Sequence, residues 1–371
     1  MSEEIRQRKA EHVSAALQHD VSVRQAASWA DVRLVHQALP EVDLDAIDLS
    51  VEFLGRRLAY PIAVSALTGG HPDVATINAR LAELAQEYGL AMGVGSQRAA
   101  LVNAELAPTY AVVRERAPDA FLIANIGAPQ LVAQPRHPAL TLDDVRRAVE
   151  MIRADALAVH LNFLQEAAQP EGDRNAEGCL AALGRVVEEV GVPVIAKETG
   201  AGIGFEQAQA LAAAGVAAID VGGAGGSSMA ALEQARAQAR GDAGGIGETF
   251  RDWGIATPIA VVEASQGAPG LRIVATGGVR SGLDAARALA LGAMLAGVGF
   301  PFLQAASDGT DALRAYMERF AGELRVAMQL SGAASVADLR WAPVVVTGAT
   351  RDWLELRGFG DALRALARRG S

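Results

Sequence analysis

Short apolar runs rich in β-branched residues recur along this chain, at 61–66, 90–94, 121–125, 156–161, 193–197, 217–221, 273–276 and 293–298. Between them lie stretches with helical spacing of apolar side chains, among them 74–88, 143–154, 179–190, 205–214 and 282–291. A strand that reads as a continuous apolar run is buried on both faces, the condition met in a parallel sheet covered by helices. Eight such units in succession predict an α/β fold of the closed (β/α)8, or TIM-barrel, type. A doubly wound open sheet is the other arrangement these elements could take.

At 371 residues the chain is long enough for two domains, yet barrels of this length are commonly one. The expected organisation is a single domain over 1–371, with an N-terminal helical extension (1–55), the barrel (56–331) and a C-terminal helical segment (332–371). Aromatic residues make up only 5%, while Ala, Val, Leu and Gly dominate, which suits repeated strand–helix packing better than a β-sandwich. A net charge of −10 argues against a nucleic-acid binder. Cys179 is the only cysteine, so no intrachain disulfide forms and a reducing compartment is expected. The start, Met1-Ser2-Glu3-Glu4-Ile5-Arg6, is charged and lacks the apolar region of a signal peptide. No apolar run approaches the ~18–20 residues needed to span a bilayer. These features together predict a cytoplasmic protein with no membrane partner.

Polar and small residues fall just after the strand runs, where barrel active sites are built. The fourth run, Ala156-Leu157-Ala158-Val159, ends in His160, Asn162, Gln165 and Glu166, followed by Gln169-Pro170-Glu171-Gly172-Asp173-Arg174. Gly277-Gly278-Val279-Arg280 follows the seventh run and Ala296-Gly297 lies in the eighth. Glycines there let backbone amides approach phosphate oxygens, so a phosphate is expected between these loops. Lys197 ends the fifth run and is costly to bury unpaired. It either faces an anion at the barrel mouth or pairs with Glu198 or a neighbouring strand. Ser96-Gln97-Arg98 follows the second run and brings an arginine suited to phosphate. Glu166 is a hard oxygen ligand of the kind Mg²⁺ uses together with substrate phosphates. Arg8 and Lys9, read alone, form a solvated helix face. The Gly-rich stretch 225–251 is expected to be a mobile excursion near the site. Neither a zinc pattern, nor a Gly-x-Ser-x-Gly elbow, nor a Walker loop is present.

Several segments in order carry a family resemblance: Arg8-Lys9-Ala10-Glu11-His12, Leu67-Thr68-Gly69-Gly70, Gly93-Val94-Gly95-Ser96-Gln97-Arg98, Ala124-Asn125-Ile126-Gly127, the His160–Glu166 run with Gln169-Pro170-Glu171-Gly172-Asp173, Lys197-Glu198, and Ala275-Thr276-Gly277-Gly278-Val279-Arg280. With them the chain resembles the type 2, flavin-dependent isopentenyl-diphosphate Δ-isomerases, from about residue 6 to about residue 330. The resemblance implies a barrel that holds FMN, uses Mg²⁺ and takes NADPH as reductant of the flavin. It implies FMN contacts at Leu67, Thr68, Gly69, Ser96, Asn125, Lys197, Ser227, Gly277, Gly278, Val279, Arg280, Ala296 and Gly297. Substrate contacts would be Arg8, Lys9, Ser96, Gln97, Arg98, His160, Asn162 and Gln165, with Glu166 on the metal. The implied reaction is a 1,3-allylic proton shift on a prenyl diphosphate, with Gln165, Lys197 and His160 as catalytic residues and a tetrameric or octameric assembly. Leu67, Phe163 and Met229 depart from the family pattern. An isomerase-like paralogue for another prenyl diphosphate therefore stands beside the main reading. A 2-hydroxy-acid oxidase or dehydrogenase is a further alternative, but such chemistry wants a His base and an Arg clamp after the sixth strand, where Gly222–Ser227 offers neither. A non-catalytic flavin or phosphate binder would leave Arg98, Gln165 and Glu166 unexplained.

Overall fold

The computed structural model describes residues 19–24, 28–66, 69–71, 74–239, 241 and 245–369. Three short strands come first: β1 (Val32–Leu34), β2 (Val51–Phe53) and β3 (Arg56–Leu58). The barrel follows as β4 (Ile62–Val64), β5 (Ala91–Gly93), β6 (Phe121–Gly127), β7 (Ala156–Leu161), β8 (Val194–Glu198), β9 (Ala218–Asp220), β10 (Arg272–Thr276) and β11 (Leu295–Val298). Each strand pairs in parallel with the next, and β11 pairs with β4 to close the ring. Each expected apolar run thus carries one barrel strand. The pairing places Gly127, His160, Lys197 and Asp220 in one row across β6 to β9. Four neighbouring strands therefore deliver their polar ends at the same level.

Helices return the chain between strands, and their ends are set locally. Helix Leu142–Met151 starts at a reciprocal capping box between Thr141 and Asp144. Helix Ala75–Tyr88 stops at Gly89, whose φ of 60° is left-handed and cheap only for glycine. A cluster of buried apolar side chains runs from Trp29 through the barrel to Leu366. Among the described residues no helix is long and apolar enough to cross a membrane.

Three expectations change. The described part of 1–55 forms the 3-10 turns Trp29–Asp31 and Leu44–Ala46 with β1 and β2, and no α-helix. The C-terminal segment is not wholly helical, because Val344–Val346 forms β12, which pairs antiparallel with β1. Val32 and Val344 are fully buried in that ribbon, so three β-branched residues in a row gain more as a strand than as a helix. The stretch 225–251, expected to be a mobile excursion, instead contains the helices Met229–Ala239 and Ile246–Thr249. Ala, Leu, Met, Glu and Gln dominate the first of these, and their helix propensity outweighs the flanking glycines.

Candidate functional site

At the C-terminal ends of the barrel strands lies a cavity of about 540 Å³, in the size range of small-molecule sites. One wall is backbone. After β10 the chain turns through Gly277 (φ 122°) and Gly278 (φ 70°), packed against the loop after β9. A Cβ added to Gly277 would lie 2.2 Å from the Gly223 carbonyl oxygen, and one added to Gly278 would lie 2.4 Å from that of Gly225. Only glycine allows this approach. The amides of Gly278 and Val279 find no acceptor among the described residues. Gly299 caps the helix Phe300–Asp308, where Pro301 carries no N–H and the Phe302 and Leu303 amides donate to the Gly299 carbonyl, so the Phe300 amide alone of the first turn has no acceptor among the described residues. Gly277, Gly278, Val279, Gly299 and Phe300 all line the cavity, so the unpaired amides of Gly278, Val279 and Phe300 belong to the wall where a phosphate was expected.

The opposite wall is side chain. Asn125 Nδ2 donates to the Val94 carbonyl at 2.9 Å, which leaves Asn125 Oδ1 to accept from His160 Nδ1 at 2.8 Å. Helix Phe163–Ala168 carries Gln165 and Glu166 into the cavity wall. Glu166 is 5% exposed; its carboxylate accepts from Asn162 Nδ2 at 2.9 Å and from the Asp173 amide at 2.8 Å. Arg98 lines the cavity and pairs with Asp173. Lys197 takes the paired alternative: its Nζ lies 3.1 Å from Asp220 Oδ2 and donates to the Glu198 carbonyl at 2.9 Å. It nonetheless lines the cavity, so its charge is seated at the floor rather than withdrawn from it.

Glu198 itself turns away and ties the adjoining loop. Its Oε2 accepts from the amides of Thr199, Gly200, Ala201 and Gly202 at 2.5–3.2 Å. Burial pushes its carboxyl up to about 7, with the four amides pulling the other way.

Of the expected residues, Ser96, Arg98, Asn125, His160, Asn162, Gln165, Glu166, Lys197, Ser227, Gly277, Gly278, Val279, Arg280 and Gly297 line this one cavity. Three do not. Gln97, expected on the substrate, is fully buried: its Nε2 donates to the Ala148 carbonyl at 2.7 Å and its Oε1 accepts from the Asn125 amide at 2.8 Å. It braces Asn125 from behind. Gly69 lies against the ring of Tyr110, 2.1 Å from where a Cβ would be, and Ala296 is buried in the barrel wall. Burial pushes the Tyr110 phenol upward, and its hydroxyl donates to the Ser96 carbonyl at 2.6 Å. Arg8, Lys9, Leu67 and Thr68 lie outside the described residues.

The sequence reading missed two acids. Gln165 Nε2 donates to Glu233 Oε1 at 2.7 Å, and Glu233, 4% exposed, is ion-paired to Arg236 on the same helix. Glu233 and Arg236 are three residues apart in a helical segment, a common solvated pattern, so nothing local marked them as buried. Asp220 was legible only as an acid in an apolar run, and its pairing with Lys197 needs the β8–β9 register.

Three buried polar atoms of residues on the cavity wall have no partner among the described residues: Ser65 Oγ, Thr276 Oγ1 and Asn162 Oδ1. Each orphan costs about 1–3 kcal/mol, so three around one cavity indicate a polar ligand. The glycine cradle at Gly277-Gly278 and these hydroxyls suit a flavin mononucleotide with its phosphate on the loops after β10 and β11. Among the described residues no group of three or more His, Cys, Asp and Glu could hold a metal. A single buried carboxylate suits Mg²⁺, which takes its remaining ligands from substrate phosphates and water.

The fold and this cavity define a flavin-type (β/α)8 barrel, and the family model described as FMN-dependent dehydrogenase matches residues 110–345. The same barrel occurs in a lactate oxidase from Pediococcus acidilactici (TM-score 0.66, 17% identity, 94% of each chain covered). It occurs also in a mandelate oxidase variant (TM-score 0.59, 22% identity, 86% of this chain and 89% of that chain covered). Those identities speak for the fold alone. Sequence relatives are far nearer. The chain is 48% identical over 363 residues to an isopentenyl-diphosphate delta-isomerase of Methanosarcina barkeri, with 97% of each chain covered. It is 46% identical over 355 residues to that of Methanothermobacter thermautotrophicus, covering 96% of this chain and 97% of the relative. Within the FMN-dependent dehydrogenase family, the chain belongs to the isopentenyl-diphosphate delta-isomerases.

Proposed function

We propose that this protein interconverts isopentenyl diphosphate and dimethylallyl diphosphate by moving a proton between the ends of the allylic unit. The observation that supports it most is the pairing of a glycine cradle for a flavin phosphate with a second, side-chain wall carrying Glu166, Arg98 and Gln165. The reaction adds a proton at one weakly basic carbon and removes one from another, so positioned acid–base groups are needed. FMN in its reduced form supplies an electron-rich ring and an exchangeable proton there with no net redox change, NADPH serving only to bring it to that state. Lys197, fixed by Asp220, sets a positive charge at the cavity floor where it favours an anionic ring. Glu166 holds Mg²⁺ against the diphosphate. Arg98, with Arg8 and Lys9 assigned by resemblance, offsets the remaining negative charge.

His160 and Asn162 orient the substrate, and Gln165 faces its reacting end. The hydrogen bond from Gln165 Nε2 fixes that amide, and Glu233 Oε1 is the carboxylate placed to exchange a proton through it. Val21, Met229, Leu232 and Leu303 give the cavity an apolar portion for the hydrocarbon part. Within this reading the chain works as one barrel unit in the cytoplasm and assembles as a tetramer or octamer. A 2-hydroxy-acid oxidation is disfavoured, because no His or Arg follows β9 before Ser227.

The test is incubation with isopentenyl diphosphate, FMN, NADPH and Mg²⁺ in deuterated water, followed by product analysis. Chemically reduced enzyme should turn over many times under anaerobic conditions without further NADPH. Stoichiometric NADPH consumption per product would sink this reading in favour of an oxidoreductase.

A further inference from the structure

Trp29 lies far from the phosphate-side loop in sequence, yet its indole Nε1 donates to the Gly277 carbonyl at 3.1 Å. The side chain is 6% exposed and belongs to the main core. Its position is fixed from both directions. Ser28 caps the 3-10 turn Trp29–Asp31, and Asp31 Oδ2 accepts from the Thr350 amide at 3.1 Å and from Thr350 Oγ1 at 2.7 Å. The β1–β12 ribbon follows directly.

A trans peptide is planar, so its C=O and N–H point in opposite directions. Holding the Gly277 carbonyl therefore also aims the Gly278 N–H. Gly277 and Gly278 both have positive φ, and a Gly–Gly peptide has little steric resistance to turning over. Once turned, the plane would present a carbonyl oxygen to the cavity in place of an amide. The only donor to the Gly277 carbonyl among the described residues is the Trp29 indole.

We propose that Trp29 is a positioning residue for phosphate binding: its indole N–H locks the Gly277–Gly278 peptide with the amide toward the cavity, and the C-terminal segment holds Trp29 in place. This rests on the FMN reading above. One neutral hydrogen bond corresponds to about a 2- to 10-fold change in affinity. Trp29→Phe keeps an aromatic ring but removes the N–H. Apoprotein should be titrated with FMN and with riboflavin, which lacks the phosphate, by quenching of flavin fluorescence.

The variant should bind FMN about 2- to 10-fold more weakly than the unmodified protein, with riboflavin affinity unchanged. Unchanged FMN affinity overturns the proposal, and so does an equal loss for both flavins, which would mean a general structural role. Should Trp29→Phe fail to fold, Thr350→Val loosens the seat of Asp31 and leaves the indole intact. A smaller loss confined to FMN supports the proposal, and a loss shared with riboflavin, or none, overturns it. If the unmodified protein binds FMN no better than riboflavin, the phosphate-site reading itself fails and takes this inference with it.

Discussion

The two walls of the cavity are made of different materials. The wall after β10 and β11 is largely glycine backbone, closed at Gly277 and Gly278 to within 2.2–2.4 Å of where a Cβ would stand. The wall after β7 is a chain of buried polar side chains, Asn125–His160 and Asn162–Glu166, joined by Gln165–Glu233–Arg236. Backbone donors serve a ligand whose charge does not change during turnover, since they cannot ionise and need only be aimed. Moving a proton or gripping a metal requires groups that can change charge. Those groups must be held by others, which is why the second wall reaches deep into the helix Met229–Ala239.

Substitutions on the two walls should therefore separate binding from chemistry. The largest effect is expected from Gln165→Ala. Isomerisation should fall by about 10²- to 10⁴-fold with FMN affinity unchanged, measured by product formation and flavin titration side by side. Activity near that of the unmodified enzyme would mean that the reacting end of the substrate lies elsewhere. Next comes Gly278→Asp. The new side chain meets the Gly225 carbonyl and places a carboxylate where the phosphate would sit. FMN affinity should drop by about 100-fold or more, as expected for loss of charge-assisted hydrogen bonds, while circular dichroism stays that of the folded barrel. A folded Gly278→Asp protein that purifies with full flavin places the phosphate on another loop.

Glu166→Gln should raise the Mg²⁺ concentration for half-maximal activity by about 10-fold or more, again without affecting FMN. An unchanged Mg²⁺ requirement would remove Glu166 from the metal. The smallest effect concerns Glu198, which holds the loop whose Thr199 and Gly200 line the cavity. Its carboxyl is raised from 4.5 to about 7 in the folded state, so the folded protein binds that proton more tightly than the unfolded chain. Its contribution to stability is complete below about pH 4.5 and is lost as pH rises through about 7. Relative to Glu198→Gln, the unmodified protein should lose a few degrees of melting temperature between about pH 4.5 and about pH 8. A difference between the two proteins that does not vary with pH would show that the four amides keep Glu198 ionised throughout.

The two walls also differed in how well they could be read. Gly277-Gly278 after an apolar run announces a tight turn with free amides, and the structure has that turn. His160 to Glu166 could be read as strand-end chemistry. Glu233 could not, because a Glu and an Arg three apart in a helical stretch look the same whether they face water or the barrel mouth. Gln97 misled for the complementary reason. It stands between Ser96 and Arg98, which both line the cavity, and its own side chain is spent inside on Ala148 and Asn125. Nearness in sequence says nothing about which way a side chain points at a strand-to-helix turn.

The order of apolar runs was enough to determine eight parallel strands and the end of the barrel at which the site lies. Alternation of strand and helix is a local property, and burial of both strand faces follows from composition. The glycine positions likewise carried the phosphate-side turn, since the φ a residue can adopt depends on its own side chain. Only the tertiary structure decided that Lys197 meets Asp220, that Gln165 meets Glu233, and that Trp29 reaches the Gly277 carbonyl. These contacts join residues from 23 to 248 positions apart. Each depends on strand register or on the packing of one helix over the barrel mouth, energies set by the whole core and not by any stretch of the chain taken alone.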